Sequence, residues 1–185
     1  PHKVDLAVGI YMNEEGVCPV FEAVRLAQRA LVEQETTKAY LPAAGDEQFN
    51  VGIQRLVLGE GSPALLAGQV SSIQTPGGCG ALRIGAELIR ASAPDAVINV
   101  SDPTWANHEP LVGTCGLALR RYPYYEQATR AVSFDRMLAC LEAAPAGDVV
   151  LLHACCHNPT GVDLDRGQWS VVADVLERRR LVPFV

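Results

Sequence analysis

Four consecutive apolar residues, Val149-Val150-Leu151-Leu152, constrain this chain more than any other feature in it. An unbroken apolar run between turn residues buries both faces of a strand, and such strands lie in parallel sheets covered by helices on each side. Ala96–Val100 and Leu181–Val185 have the same character, and Leu117–Tyr122 and Val70–Gln74 are further strand candidates. Between them the period changes to that of a helix. Val20, Val24, Ala27 and Leu31 form one apolar stripe, and Phe49, Ile53, Leu56 and Val57 another, opened by Gly45-Asp46. Ala81–Ile89 follows, and then Phe134, Met137, Leu138 and Leu141. A last helix starts at Asp165-x-x-Gln168, the pattern of a capping box, buries Trp169, Val172 and Leu176, and ends in Arg178-Arg179-Arg180, where cations suit the helix dipole. The alternation predicts an α/β protein, a three-layer α/β/α sandwich around a mostly parallel sheet.

The 185 residues suffice for one domain with a real core, and hydrophobic residues make up 49 % of them. A net charge of −6 argues against a nucleic-acid partner, which needs a basic face to neutralise phosphates. No apolar stretch reaches the roughly 18 residues of a membrane span, and Pro1-His2-Lys3-Val4-Asp5 carries no signal-peptide pattern. The six cysteines have no framework spacing and read as free thiols, as expected of a cytoplasmic protein. Cys155, Cys156 and His157, with His153 nearby, are metal-ligand types, but adjacent residues on a strand face opposite ways, so no metal is expected there. The sequence stops inside what reads as a buried strand, Leu181–Val185, so the chain is expected to be the front part of a longer protein.

Three segments carry candidate chemistry. In Thr75-Pro76-Gly77-Gly78-Cys79-Gly80-Ala81 a strand is expected to run into a glycine-rich turn and a helix, where free N–H groups and the helix dipole can bind an anion. A tight turn with packing glycines explains the same residues equally well. The segment is neither a P-loop, lacking Lys-Ser/Thr after the glycines, nor a dinucleotide fingerprint, since Gly85 falls at the wrong spacing. Asp102-Pro103-Thr104-Trp105-Ala106-Asn107-His108 follows a strand, where ligands bind in parallel sheets. Trp105 there can stack on a flat ring or fill the core, and His108 can be catalytic or structural. His153-Ala154-Cys155-Cys156-His157-Asn158-Pro159-Thr160-Gly161 follows another strand, with Asn158 either a recognition amide or part of a plain turn.

In this order the three segments, with Gly9-Ile10-Tyr11 and Glu35-Thr36-Thr37-Lys38-x-Tyr40-Leu41, resemble the aspartate and aromatic aminotransferases of the fold-type-I pyridoxal-phosphate enzymes, over essentially the whole chain. The resemblance implies a cofactor, pyridoxal 5'-phosphate, held by Gly77, Gly78 and Cys79 at its phosphate, by Trp105 against its ring, by His108 through an acidic group on the ring nitrogen, and by Asn158 at its phenolic oxygen. Tyr40 would reach the phosphate in the neighbouring subunit of a homodimer. Gly9, Trp105 and Asn158 would contact the substrates, an amino acid and a 2-oxo acid. Residues 1–16 would be a segment associated with the small domain and substrate pocket, and 17–185 an incomplete cofactor-binding large domain. Cys79 stands where the family usually has Thr or Ser, and Met12 where a lysine often follows.

The family's Schiff-base lysine is not expected within this chain, whose two lysines, Lys3 and Lys38, lie outside that motif. The acidic partner of the ring nitrogen is expected just after Val185. The chain alone is therefore expected to be inactive, with transfer of an amino group from aspartate or an aromatic amino acid to 2-oxoglutarate belonging to the longer protein. A non-catalytic phosphate-binding α/β module and a truncated dimerisation paralogue are the alternatives.

Overall fold

The computed structural model describes residues 9–185, so Lys3 and half of the segment 1–16 lie outside the described residues. The chain divides into two compact units, Pro1–Ala44 and Gly45–Val185. In the first, helix α1 spans Glu22–Gln34 and has no buried residue, so the expected stripe Val20, Val24, Ala27 and Leu31 is exposed. Tyr11 and Phe21 lie with ring centroids 5.2 Å apart.

The second unit is built on a four-stranded parallel sheet in the order β2-β1-β5-β6. Strand β1 is Val97–Asp102, β2 Ala118–Pro123, β5 Val149–Leu151 and β6 Val182–Phe184, while β3 (Tyr125–Glu126) and β4 (Ala131–Val132) form a separate antiparallel pair. The helices are α2 (Glu47–Leu58), α3 (Pro63–Leu66), α4 (Gly77–Ser92), α5 (His108–Gly113), α6 (Phe134–Ala143) and α7 (Arg166–Arg179).

Strand alternation sorts the core into two layers. Ile98, Val100, Val149 and Leu151 point to one face of the sheet, where they meet Ala86 of α4 and Val112 of α5. Tyr122, Val150 and Leu152 point to the other and pack against Met137 and Leu141 of α6 and Val172, Val175 and Leu176 of α7. These two covered faces make the three-layer α/β/α sandwich with a parallel sheet, as expected. Gly85 serves this packing directly: a Cβ there would lie 2.7 Å from Cζ of Phe184, so α4 approaches β6 as closely as it does only without a side chain.

The start of α7 follows the sequence in detail. Asp165 accepts from the backbone N–H of Gln168 at 2.8 Å, and the Gln168 side chain accepts from the backbone N–H of Asp165 at 2.9 Å, a complete capping box. Asp46 likewise caps α2 by accepting from Phe49 N–H at 2.8 Å, although Phe49, Leu56 and Val57 on that helix are exposed.

Leu181–Val185, expected to be a buried strand, forms the edge of the sheet with Val182 and Val185 exposed, and two further expectations are corrected. Val70–Gln74 is not a strand. Its polar groups are used by α2 instead: the Gln74 side chain accepts from Asp46 N–H at 2.8 Å, and Gln54 donates to the Ser72 hydroxyl at 2.9 Å. The strand at Val149 is also shorter than its apolar run, ending at Leu151, so Cys155 and Cys156 lie in a loop and not on a strand.

Candidate active site at the carboxyl ends of the strands

The glycine-rich segment is not a turn ahead of a helix but the first turn of the helix itself. α4 begins at Gly77, whose φ of +71° is open to glycine and costly for other residues. No side chain caps this end. The Gly77 N–H already donates to Thr75 C=O at 2.8 Å, while the helix-start N–H groups that follow have no partner within the helix and can receive an acceptor. Gly77, Gly78 and Cys79 are all exposed, and nothing lies within 4 Å of where a Cβ would stand on either glycine. Gly80 is different: a Cβ there would come within 3.0 Å of Pro76 Cδ and 3.2 Å of Thr75 Cβ, so the chain folds tightly back against this residue.

α4 returns through a short connection to the parallel strand β1, so its first turn sits over the carboxyl ends of the strands. Ligands collect at this edge in parallel sheets. β1 ends at Asp102, and the loop that follows delivers Trp105 and then His108 as the first residue of α5. β5 ends at Leu151, and its loop delivers His153, His157 and Asn158. Asp102-Pro103 and Asn158-Pro159 are cis peptides.

These two loops meet in a column of rings. Trp105 packs edge-on against His108 at 5.3 Å between centroids, His108 edge-on against His153 at 5.0 Å, His153 stacks on His157 at 4.2 Å, and His157 on Tyr124 at 3.8 Å. Each histidine has hydrogen-bond partners that need no charge. His108 Nδ1 lies 2.8 Å from the Thr104 hydroxyl. His157 is engaged at both nitrogens, with the Ser101 hydroxyl 2.9 Å from Nε2 and the Thr160 hydroxyl 2.9 Å from Nδ1. His153 Nδ1 accepts the backbone N–H of Asn158 at 3.1 Å.

That last bond decides a tautomer. A ring nitrogen that accepts carries no proton, so neutral His153 must bear its proton on Nε2. Nε2 is buried and has no hydrogen-bond partner among the described residues. The same ring lines a cavity of about 250 Å³ with Leu82, His108, Leu151, Phe184 and Val185. Leu82 is one turn along α4 from Cys79, so this cavity adjoins the helix end that carries the glycines. A larger hollow of about 500 Å³ runs along α1 beside Val20, Arg25, Arg29 and Val32 and contains none of the candidate residues.

Burial, reinforced by the neighbouring His153, lowers the pKa of His108 from 6.5 to about 4. Burial acts in the same way on His157, also to about 4, and lowers His153. The column is thus uncharged near neutral pH and acts through shape and hydrogen bonds. Asp163 is pulled in the opposite chemical sense, its charged form favoured by the backbone N–H groups of His157 and Cys156.

Of the residues singled out in the sequence, Trp105 and His108 are thus in contact, and Asn158 joins them through His153. Gly77, Gly78 and Cys79 begin the helix that helps to line the adjoining cavity. Gly9 and Tyr40 belong to the first unit, where both are exposed. Lys38, also in that unit, is paired with Glu35. His153 and His157 were weighed in the sequence only as metal ligands. Their spacing of four residues held no cue that loop geometry would stack the two rings. Thr104 lay within the second motif without a role of its own, and Ser101, Tyr124 and Asp163 had no signal at all.

The chain is similar to known proteins over its whole length. The model of the aminotransferase class I and II family matches residues 1–185. The chain is 48 % identical over 183 residues to an aromatic-amino-acid aminotransferase of Pseudomonas aeruginosa, covering 99 % of this chain and 46 % of that protein. It is 43 % identical over 185 residues to an aspartate aminotransferase of the same organism, covering 100 % and 46 %. It superposes with a TM-score of 0.94 and 48 % identity on the aromatic-amino-acid aminotransferase of Burkholderia pseudomallei, a structure covalently bound to pyridoxal phosphate, over 98 % of this chain and 46 % of that one. The chain therefore spans about half the length of the relatives it matches, and it belongs to the class I and II aminotransferase family.

Proposed function

We propose that the protein to which this chain belongs moves an amino group from aspartate or an aromatic amino acid to 2-oxoglutarate, with pyridoxal 5'-phosphate as cofactor, and acts as a cytoplasmic homodimer. The observation that carries the reading is the joining of Trp105, His108 and Asn158 through His153 at the carboxyl ends of β1 and β5. A phosphate-binding module would have no use for that arrangement. The relatives named above include both aromatic and aspartate enzymes, which supports the class of donor and leaves both donors in the proposal.

The residues present fit the cofactor. The uncapped first turn of α4, with Gly77 and Gly78 free of side chains, suits a phosphate, and the Trp105 face suits a flat ring. When bound, the cofactor supplies an electron sink for the bond changes at the substrate's α-carbon. The chain's own residues bind and orient. Gly77, Gly78 and Cys79 border the phosphate; the Gly77 N–H is held by Thr75 C=O at 2.8 Å, so Gly78 and Cys79 offer the backbone N–H groups, and Cys79 adds only a weak thiol donor. Trp105 limits the ring's movement and keeps water from one face. Uncharged His108 supports the acidic group expected at the ring nitrogen. Asn158 donates to the phenolic oxygen and contacts the substrate carboxylate. Gly9 borders the substrate, and Tyr40 reaches the phosphate in the partner subunit. Residues 1–16 go with the small domain and 17–185 with the cofactor-binding domain. The lysine that joins the cofactor is assigned to the longer protein, so this chain by itself is expected to be inactive.

The test is a titration of the complete polypeptide with pyridoxal 5'-phosphate, followed in the visible spectrum, and then addition of aspartate or phenylalanine. A saturable visible band that changes on adding either amino acid, with appearance of the matching 2-oxo acid, is expected. A protein that binds inorganic phosphate and gives no band would favour the phosphate-binding module.

A further inference from the structure

Asn158 lies in a segment without regular structure between β5 and α7, so its side chain is aimed only as well as that loop is held. The His157 ring ahead of it is anchored by Ser101 and Thr160, and the backbone N–H groups of Cys156 and His157 both end on one further side chain. The Asp163 carboxylate accepts the N–H of Cys156 at 2.7 Å on Oδ2 and the N–H of His157 at 2.8 Å on Oδ1. Cys156 has φ +54°, a left-handed conformation that costs a non-glycine residue energy and needs support from its surroundings. In such a conformation successive N–H groups converge, and here the carboxylate fills the concave pair they make.

Other bonds tie the far side of the loop. Gly161 N–H donates to His157 C=O at 2.7 Å, Val162 N–H to the Thr160 hydroxyl at 3.2 Å, and the Tyr124 hydroxyl to Val162 C=O at 2.7 Å. None of these acts on residues 155 and 156. Asp163 is thus the side chain that ties the approach to Asn158 back to the loop's exit, while His153 receives the Asn158 N–H on the other side.

We infer that Asp163 is a positioning residue for the cofactor: by clamping Cys156 and His157 it sets the direction in which the Asn158 amide points. The inference rests on the proposed contact between Asn158 and the cofactor's phenolic oxygen. The contacts of Asp163 itself are to the loop and not to the cofactor.

The experiment compares wild type, Asn158→Ala, Asp163→Ala, Asp163→Asn and the double variant Asn158→Ala/Asp163→Ala in the complete polypeptide. Cofactor affinity is read by visible titration, and hydrogen exchange of the Cys156 and His157 amides is read without cofactor. Loss of one hydrogen bond corresponds to about a 5–10-fold weaker affinity. Asp163→Ala is expected to weaken binding to the same extent as Asn158→Ala, and the double variant to be no weaker than Asn158→Ala alone, since coupled residues are not additive. Asp163→Asn, which keeps one acceptor oxygen, is expected to fall between, and it carries the comparison if the alanine variant does not fold. Faster exchange at both amides accompanies the loss. Wild-type affinity in both Asp163 variants beside a weakened Asn158→Ala overturns the inference, as does a double variant weakened by the product of the single effects. Wild-type affinity in Asn158→Ala overturns the underlying cofactor contact instead, a result that does not depend on the amide exchange.

Discussion

The backbone N–H of Asn158 ends on Nδ1 of His153, five residues earlier in the same loop, at 3.1 Å. One bond thereby links the candidate recognition amide to the ring column and places the proton of neutral His153 on Nε2. Replacing His153 with Phe keeps a flat ring between His108 and His157 and removes the acceptor. A loss of about 1 kcal/mol of stability is expected for one hydrogen bond, measured as a lower denaturant midpoint. An unchanged midpoint would mean that the bond contributes nothing.

The ring column makes stability depend on pH. His108 and His157 ionise near 6.5 when unfolded and near 4 when folded, and His153 is lowered in the same direction. Between these values the unfolded chain binds more protons than the folded one, so stability is complete above about 6.5. It is expected to fall as pH drops from 6.5 towards 4. Asp163, lowered from 3.8, adds a further loss below that pH, as its carboxylate is protonated. Urea midpoints measured at intervals from pH 8 to pH 4 test this, and a flat profile between 6.5 and 4 would contradict it.

Cys79 offers a thiol at the uncapped end of α4. Cys79→Thr would put a hydroxyl donor there in place of a weak one. Pyridoxal phosphate is expected to bind about 5-fold more tightly to the complete polypeptide carrying this change, the effect of roughly 1 kcal/mol. Cofactor is also expected to slow alkylation of Cys79 in the wild type. Equal affinities and unprotected alkylation would remove Cys79 from the phosphate site.

The capping box of α7 gives a prediction independent of any cofactor. Asp165→Ala removes the acceptor for Gln168 N–H and is expected to cost about 0.5–2 kcal/mol. Thermal unfolding should begin lower, while the visible titration of the remaining folded protein stays as in the wild type.

Local pattern was enough for most of the architecture. Val149–Leu152 alternates between the two core layers because successive side chains on a strand point to opposite faces, a rule that acts on neighbouring residues and so is written in the sequence. Asp165 and Gln168 are three residues apart and bond reciprocally, which makes that helix start equally legible. Val70–Gln74 shows the limit: its apolar run suits a strand, but a strand needs a partner, and Gln74 and Ser72 bond to α2 residues instead.

The candidate site divides in the same way. The residue types of the three motifs, and their resemblance to a family, could be read from the order of letters. Tertiary structure alone decided that Ser101 would meet His157 across 56 residues and that Tyr124 would stack on it. It also decided that Asp163 would close the loop beneath Asn158. Those contacts join loops from different strands, and their geometry follows from how the sheet sets β1 beside β2 and β5, a non-local pairing that no short stretch of sequence specifies.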